Sequence, residues 1–205
     1  MTPRSVQPAP TGAATRRRDA ANTRRLLLEA ARQRFAYDGY AATTVRDIAD
    51  DAGVNVALIN RYFSSKEGLF AACLEGVEEE LRRTGGTPLG EVPDAIAGQL
   101  AGSAGDATKQ ILLLLLRSSG DERVDQIRLG VLRAYAERLA SAAGWRPGEP
   151  DEAQLLLRAQ LILCASAGIV ILRASGLQPL ASASGADLTP PLRDLVDAML
   201  SAERK

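Results

Sequence analysis

Residues 43–66, TTVRDIADDAGVNVALINRYFSSK, predict two short helices joined by a tight turn. Thr43 or Thr44 offers a side-chain oxygen to the free amides of the first helix, as an N-cap residue does. Apolar residues then recur at three- and four-residue spacing until Gly53, where a left-handed backbone would turn the chain sharply. A second helix is predicted from Val54 to Phe63. Two helices around a glycine-containing turn indicate a helix-turn-helix.

The second predicted helix presents polar groups rather than large apolar side chains. Amides, a guanidinium and a phenol come from Asn55, Asn60, Arg61 and Tyr62. Such groups suit a groove of DNA, because they can hydrogen-bond base edges and phosphates. They would be equally at home on a solvent-facing helix surface, so base contact by Asn60 and Arg61 is a hypothesis.

Charge is distributed unevenly along the chain, although 25 basic and 25 acidic residues give a formal net charge of zero. Residues 1–66 contain eleven Lys or Arg against six Asp or Glu, a net +5. The remainder contains fourteen against nineteen, a net −5. The basic N-terminal third is therefore the part expected to approach a polyanion.

The composition indicates an all-α protein without a metal, cofactor or enzymatic activity. Leu and Ala carry most of the 46% apolar content, and aromatic residues make up 4%. The chain contains no histidine, which excludes His-based metal sites and a His general base. Cys73 and Cys164 stand outside any metal-ligand spacing, and no GxSxG, Walker or GxGxxG pattern appears.

A cytoplasmic location without a membrane partner is expected. The N-terminus lacks the apolar core of a signal peptide. The longest uncharged apolar run, Leu161–Leu172, is too short to span a bilayer.

Upstream of the opening stretch, residues 1–15 are rich in Pro, Ala, Gly and Thr and predict a disordered tail. A helix is predicted from about Asp19 to Tyr37, directly after Arg16, Arg17 and Arg18. These three arginines would suit a solvated helix end. Beside a helix-turn-helix, we expect them to contact DNA phosphates or the minor groove.

Downstream, Ser64 or Ser65 is expected to cap a fourth helix that runs to about Arg83. Lys66 lies in its first turn, where the helix dipole ordinarily favours an acid. A lysine suits that position if a phosphate lies nearby, because the dipole, the free amides and the ammonium would then face one anion.

Four short motifs with fixed internal spacing occupy residues of about 20–70. They are Thr44-Val45-Arg46-Asp47-Ile48-Ala49, Ala52-Gly53-Val54, Tyr62-Phe63 and Ser65-Lys66-Glu67-Gly68-Leu69. This composite pattern closely resembles the DNA-binding domain of the tetracycline-repressor (TetR) family of transcriptional regulators. It covers about a quarter of the chain, and beyond it the resemblance is one of layout.

The resemblance implies a DNA-binding role for each matching position. Thr44 and Arg46 would contact phosphate or a base edge. Asn55 and Ala57 would begin a recognition helix that faces the major groove.

Tyr62 and Lys66 match positions that commonly hold the DNA backbone. The family often has tyrosine where this chain has Asn60, and this departure alters the expected base contacts. Asn60 could hydrogen-bond adenine, and Arg61 could bind guanine or phosphate.

By resemblance, three segments are predicted: the tail 1–15, a three-helix DNA-binding domain 16–66, and an all-helical ligand-binding and dimerisation domain 67–205. Further helices are expected at about Glu91–Gly102, Thr108–Arg117, Asp121–Ala143 and Asp151–Ala174, with a last helix behind Thr189-Pro190 after the loop 175–187. The six consecutive apolar residues Ile111–Leu116 predict a helix that is buried on all sides.

In the family, a small-molecule effector enters the C-terminal domain and changes the spacing of two DNA-binding heads, which lowers DNA affinity. Candidate lining residues lie within or beside apolar helical stretches, although each is also typical of ordinary packing. They are Leu112, Arg117, Arg133, Tyr135 and Cys164.

A homodimer is expected, because the last two helices carry more apolar surface than one subunit obviously needs. A dimer would also bind a palindromic double-stranded operator with half-sites ~34 Å, or a multiple of that, apart. Intrachain packing is the other explanation for the same apolar stripes. The candidate interface residues are Leu161, Ala165, Gly168, Leu172, Leu192, Leu195, Val196 and Met199.

The resemblance favours a ligand-responsive repressor. An architectural DNA-binding protein could use the same head without an effector. Release of DNA by a ligand would distinguish the two.

Overall fold

The structure is a computed structural model that describes residues 12–83, 87–102 and 106–201, with side chains for 18–75, 87–102 and 109–201. Within these residues the regular elements are all helical, which confirms the predicted all-α class. The helices are α1 (Gly12–Tyr37), α2 (Val45–Asp51), α3 (Ala57–Phe63), α4 (Lys66–Arg83), α5 (Val92–Gly102), α6 (Asp106–Leu116), α7 (Glu122–Ala142), α8 (Glu152–Ala174) and α9 (Gly185–Leu200). Single 3-10 turns at Leu89–Glu91 and Leu180–Ser182 precede α5 and α9.

One hydrophobic core joins α1, α2, α3 and α4. Leu27, Ile48, Ile59 and Leu69 contribute one fully buried side chain from each of these four helices. Burying a side chain of this size stabilises a fold by roughly 1.5–3 kcal/mol. The two short helices, seven residues each, therefore depend on this shared core rather than on intrinsic helix stability.

The same core extends beyond the predicted boundary at residue 66. Leu114 and Leu115 of α6 and Val124 and Val131 of α7 are buried in it. The helix α4 packs on α1, α3 and α7. The N-terminal helices are thus packed directly onto the helices that follow.

A second core lies among α5, α7, α8 and α9. The apolar stripe of α9 faces α5, so Leu192 and Val196 are buried within one subunit. This corrects their assignment to a dimer interface, because side chains already packed on α5 are not available to a second chain. Leu195 and Met199, on the flanks of the same helix, are half-buried.

The predicted starts of the first and last helices were wrong. Helix α1 begins at Gly12, so residues 12–15 of the predicted tail are helical, as the helix-favouring Ala13 and Ala14 allow; residues 1–11 lie outside the described residues. Helix α9 begins at Gly185, ahead of Thr189-Pro190. Its start is set by a capping box, in which Ser184 Oγ accepts a hydrogen bond from Asp187 N at 3.3 Å.

Helix α6 is not buried on all sides, in contrast to the prediction from its apolar run. Leu114 and Leu115 are buried, but Leu116 is 48% exposed. Leu116 is exposed because α6 ends at this residue and the residue borders a cavity.

The junction between α6 and α7 is held by one carboxylate. Asp125 accepts hydrogen bonds from Ser119 N and Ser118 Oγ, both at 2.9 Å. Arg128 contacts the same carboxylate at 3.3 Å and donates to Leu115 O at 2.9 Å. The backbone bond from Ser119, followed by that from Ser118, lowers the pKa of Asp125 to about 2.

Stability at low pH should therefore depend on Asp125. Because the folded pKa is depressed below the ordinary 3.8, the stabilisation is present above about pH 4 and is lost as pH falls towards 2. The Asp125→Asn variant should melt at a lower temperature than the parent above pH 4, and the difference should shrink towards pH 2. Thermal unfolding followed by circular dichroism over this range measures the difference.

Asp50 provides a matched control, since it is exposed and its carboxylate makes no hydrogen bond with the described residues. Asp50→Asn should shift the melting temperature little and without this pH dependence. An Asp125→Asn deficit of equal size at pH 6 and pH 2 would contradict the assigned role of the charge.

Candidate nucleic-acid interface and cavity

Helix α2 begins at a reciprocal cap. Thr44 Oγ1 accepts from Asp47 N at 3.2 Å and donates to Asp47 Oδ2 at 2.7 Å, while Thr44 N donates to the same carboxylate at 2.9 Å. These bonds lower the pKa of Asp47. The hydroxyl of Thr44 therefore caps the start of α2. Contact of Thr44 with a phosphate or a base edge stays a prediction. Thr43 instead is buried and donates to Gly39 O at 2.8 Å.

The turn after α2 contains Gly53 at a φ of +64°, as predicted. Helix α3 starts at Ala57, three residues later than predicted, because Asn55 Oδ1 accepts from Ala57 N at 2.8 Å and ends the turn there. Ile59 and Phe63 are buried and anchor one side of α3 in the core. Its orientation is fixed by these two side chains.

The opposite side of α3 is open. Ala57, Asn60 and Arg61 are exposed, and so are Arg46 and Asn55 beside them. Neither Asn60 nor Arg61 has a side-chain hydrogen bond to any described residue, while Arg61 Cζ lies 5.9 Å from the centroid of the Tyr62 ring. Five of the predicted DNA-binding residues are thus accessible to solvent.

Val56 adds an exposed apolar side chain at the start of α3 that the sequence analysis did not select. The later helix start leaves it in the turn rather than inside the helix. An exposed apolar group there could contact a thymine methyl.

Lys66 is half-buried at the start of α4, with Nζ 4.1 Å from the centroid of the Tyr40 ring. Burial lowers the pKa of Lys66, with opposing contributions from Glu67 and Asp121. Tyr40 itself is buried beside Phe35 and Phe70, and burial raises its pKa to about 12. The aromatic ring therefore fixes the direction of the ammonium, a contact that no sequence spacing indicated.

Arginines near the start of α1 are exposed or lie outside the described side chains, and Arg24 further along contacts other helices. Arg18 is exposed, whereas the side chains of Arg16 and Arg17 lie outside the described residues. Further along, Arg24 pairs with Glu75 at 2.9 Å and lies 5.3 Å from the Phe63 ring centroid. Arg24 thus connects α1 to α3 and α4.

Helix α2 is also tied to α1 by charge. Arg34 donates from its terminal nitrogen to Asp51 at 2.9 Å, and a second bond runs from its Nε. The Arg34 hydrogen bonds hold the pKa of Asp51 below its usual value. This pair keeps α2 at a fixed position on α1.

Two adjoining cavities lie among α5, α6, α7 and α8, with volumes of about 660 and 540 Å³. Four of the five predicted pocket residues line the larger one, namely Leu112, Arg133, Tyr135 and Cys164. Tyr135 lines both. The other free cysteine, Cys73, is buried in the N-terminal core, and burial raises the pKa of its thiol to about 12.

Arg117 does not line either cavity. Its guanidinium covers Gly39, with Cζ 3.0 Å from the position that a β-carbon would occupy. It also donates to Tyr37 O at 3.1 Å, at the end of α1. The sequence prediction failed because Arg117 follows α6 directly, at the point where the chain contacts the N-terminal helices. Arg117 therefore connects the cavity-lining helix to the corner between α1 and α2.

One face of α8 is exposed and carries no charged residue over twenty positions. Its members are Ala153, Gln154, Leu157, Gln160, Leu161, Cys164, Ile171 and Leu172. Leu161 is 48% and Leu172 44% exposed, and the half-buried Ala165 and Gly168 adjoin them. By length and composition alone, α8 is also apolar enough to cross a membrane, which the short uncharged run did not suggest.

Residues 27–73 match the family model described as bacterial regulatory proteins, tetR family. This segment of the chain carries the sequence pattern of the tetR family. The match begins within α1, spans α2 and α3, and ends in α4, so it covers the capping box, the Gly53 turn and the exposed face of α3.

Curated relatives align over part of this chain. The HTH-type transcriptional regulator BetI of Cronobacter sakazakii is 28% identical over 58% of this chain and 52% of its own length. The regulatory protein RaaS of Mycobacterium tuberculosis is 45% identical over 27% of this chain and 26% of its own. The chain thus spans about half, or less, of the relatives it matches.

Solved structures extend the likeness to the C-terminal helices. GusR of Salmonella enterica has a TM-score of 0.65, covering 88% of this chain and 96% of its own at 18% identity. Identity at this level supports a shared fold and nothing about ligands.

Proposed function

We propose that this protein is a cytoplasmic transcriptional repressor that binds a palindromic operator as a homodimer and leaves it when a small molecule binds. The observation that carries the proposal is the exposed side of α3. Asn60 and Arg61 have no hydrogen-bonded partner among the described residues, while Ile59 and Phe63 hold the helix rigidly from the other side. A fixed helix with exposed amide and guanidinium groups is suited to the major groove.

Backbone contacts are proposed for the surrounding cations. Lys66 is directed by Tyr40, and its ammonium is partly desolvated without a carboxylate in salt-bridge contact among the described residues. A DNA phosphate would supply the missing counter-charge. Arg18 and Arg46 are exposed and would extend the same contact surface, as would Tyr62 at its edge.

A second copy of the chain is proposed to cover the α8 face. An uncharged apolar surface of this length is costly to expose to water. A two-fold pairing through Leu161, Ala165, Gly168 and Leu172 would bury it and bring two heads onto one DNA duplex.

Release by an effector is proposed because the cavity helices contact the head directly. Helix α6 lines the larger cavity through Leu112 and is followed directly by Arg117, which holds the corner between α1 and α2. A ligand that moves α6 would change how the head is held. An architectural protein without an effector has no comparable use for such cavities.

Base contact and phosphate contact can be separated by two single substitutions. Asn60→Ala should reduce discrimination at one base pair by roughly 1–3 kcal/mol, because one bidentate amide contact is lost. Lys66→Ala should weaken binding to all sequences alike and reduce the slope of log affinity against log salt by about 1. Operator selection from a random duplex library, followed by fluorescence anisotropy on single-base variants, measures both.

A uniform loss of affinity in both variants would contradict base contact by Asn60. Gln33→Ala, on the exposed side of α1, is the control and should leave both the preference and the salt slope unchanged. Failure of the parent protein to select any duplex would overturn the proposed function itself.

A further inference from the structure

We propose that the two cavities form a single site for an uncharged, elongated apolar molecule carrying a hydroxyl, ketone or ester group. The inference rests on the proposed function only where it treats the bound molecule as the effector that releases the operator. Binding of the molecule itself can be measured without DNA.

The cavities are two lobes of one site because they share a wall. Gln99, Leu100, Tyr135, Leu163 and Ser166 line both lobes. Volumes of about 660 and 540 Å³ each lie within the range of small-molecule sites. A molecule that crosses the shared residues can use both lobes, which favours an elongated shape.

The walls of the larger lobe are mainly aliphatic. Its apolar lining residues include Ile111, Leu115, Leu129, Leu132, Leu156 and Val170. These side chains come from α6, α7 and α8, so they surround the space from three helices. An apolar ligand body would be favoured there by removal of its surface from water.

The polar groups that line the site are mostly neutral. Gln99 and Gln160 have exposed side chains that make no hydrogen bond with the described residues. A carboxamide both donates and accepts, so it can bind a hydroxyl, ketone or ester without a counter-ion. Gln99 lies at the shared wall, and Gln160 lies in the larger lobe.

The cations of the lining are already engaged. Arg133 is 70% exposed and pairs with Glu137 at 2.7 Å. Arg138 lies in the smaller lobe and approaches Thr87 Oγ1 at 3.5 Å, and further interactions involve both of these residues. The described lining residues include no Asp or Glu. A charged ligand head would therefore lose hydration without gaining a free partner of opposite charge.

Three probes that are built on a linear ten-carbon chain and carry head groups of different charge test the inference: decanol, decanoate and decyltrimethylammonium. Calorimetric titration of the full-length protein, below the solubility limit of decanol and the micelle concentrations of the two ions, should give decanol an affinity about tenfold or more above both ions. Equal or tighter binding of either ion would overturn the inference, and so would the absence of decanol binding.

Two cavity variants establish where decanol binds. Ala167→Phe and Leu112→Phe each place a larger side chain in the larger lobe and reduce its free space. Each should lower decanol affinity about tenfold or more. Leu161→Glu alters the exposed α8 face and should leave decanol affinity unchanged. Melting temperatures show which of the filled variants is folded. Loss of binding in Leu161→Glu alone would place decanol on the surface and overturn the inference.

The amide contact has its own test. Gln160→Leu keeps the size of the side chain and removes its hydrogen bonds, so decanol should bind roughly two- to tenfold more weakly. Unchanged affinity in Gln160→Leu and Gln99→Leu together would contradict the assigned polar contacts.

DNA binding by the same samples separates this inference from the proposed function. Decanol binding without release of the selected operator would leave the ligand class standing and contradict ligand-responsive repression. Operator binding without binding of any probe would do the reverse.

Discussion

Gly68→Ala is expected to destabilise the protein by roughly 3 kcal/mol, the upper end of the usual cost of overpacking. A β-carbon at Gly68 would lie 2.1 Å from Phe63 O, far inside contact distance. The neighbour is a backbone carbonyl that also accepts from Ser65 N at 2.8 Å, so it cannot rotate away as a side chain would. Helices α3 and α4 would have to separate.

The close approach arises from the connection between these helices. Ser64, at a φ of +66°, reverses the chain after α3, and Ser65 Oγ then accepts from Gly68 N at 3.0 Å. The end of α3 is thereby brought against the first turn of α4. Because α3 carries the proposed base contacts, its displacement should also abolish selection of a preferred operator.

Gly98→Ala is the matched control for this prediction. Gly98 lies inside α5 with open space around the position of a β-carbon, so alanine should be neutral or stabilising by up to about 1 kcal/mol. Urea unfolding followed by circular dichroism compares the two. Equal stability of both variants would show that the Phe63–Gly68 approach is not a constraint.

The features that the sequence predicted well are local. The cap at Thr44, the turn at Gly53 and the cap at Ser65 each depend on side chains within three or four residues of the groups they bond. Such contacts are specified by spacing alone. For the same reason the existence and approximate bounds of the helices were predictable.

The features that the sequence did not predict are contacts across long stretches of chain. Arg117 covers Gly39, and Lys66 lies over Tyr40, yet no periodicity associates either pair. Arg117 was assigned to the pocket because it follows an apolar helix. Only the packing of the chain shows that its side chain contacts Tyr37 and Gly39 instead.

The same limit explains the dimer residues. The stripe of α9 and the exposed face of α8 have similar hydrophobic periods, but α5 covers Leu192 and Val196 and leaves Leu161 open. Hydrophobic periodicity in the sequence indicates that a helix has an apolar face. It does not indicate which part of the molecule, or which second molecule, covers that face. The interface proposal therefore contracts to α8, with Leu195 and Met199 at its margin.

Replacing Leu161 and Leu172 together by glutamate should convert a homodimer into a folded monomer. Both side chains are nearly half exposed, so the substitutions cost little within one subunit, whereas two-fold pairing would oppose the four introduced carboxylates in an apolar contact. Sedimentation velocity at micromolar concentration measures the change. Operator affinity should fall by about 10²-fold or more, because each head then binds without the effective concentration supplied by its partner.

Ala186→Glu tests whether added charge alone is responsible, since Ala186 is exposed in the first turn of α9 and away from the α8 face. It should leave the sedimentation coefficient unchanged. A parent protein that sediments as a monomer would exclude the homodimer outright. A double variant that remains dimeric would show that a surface other than the uncharged α8 face joins the two copies. That other surface would then have to set the spacing of the two heads.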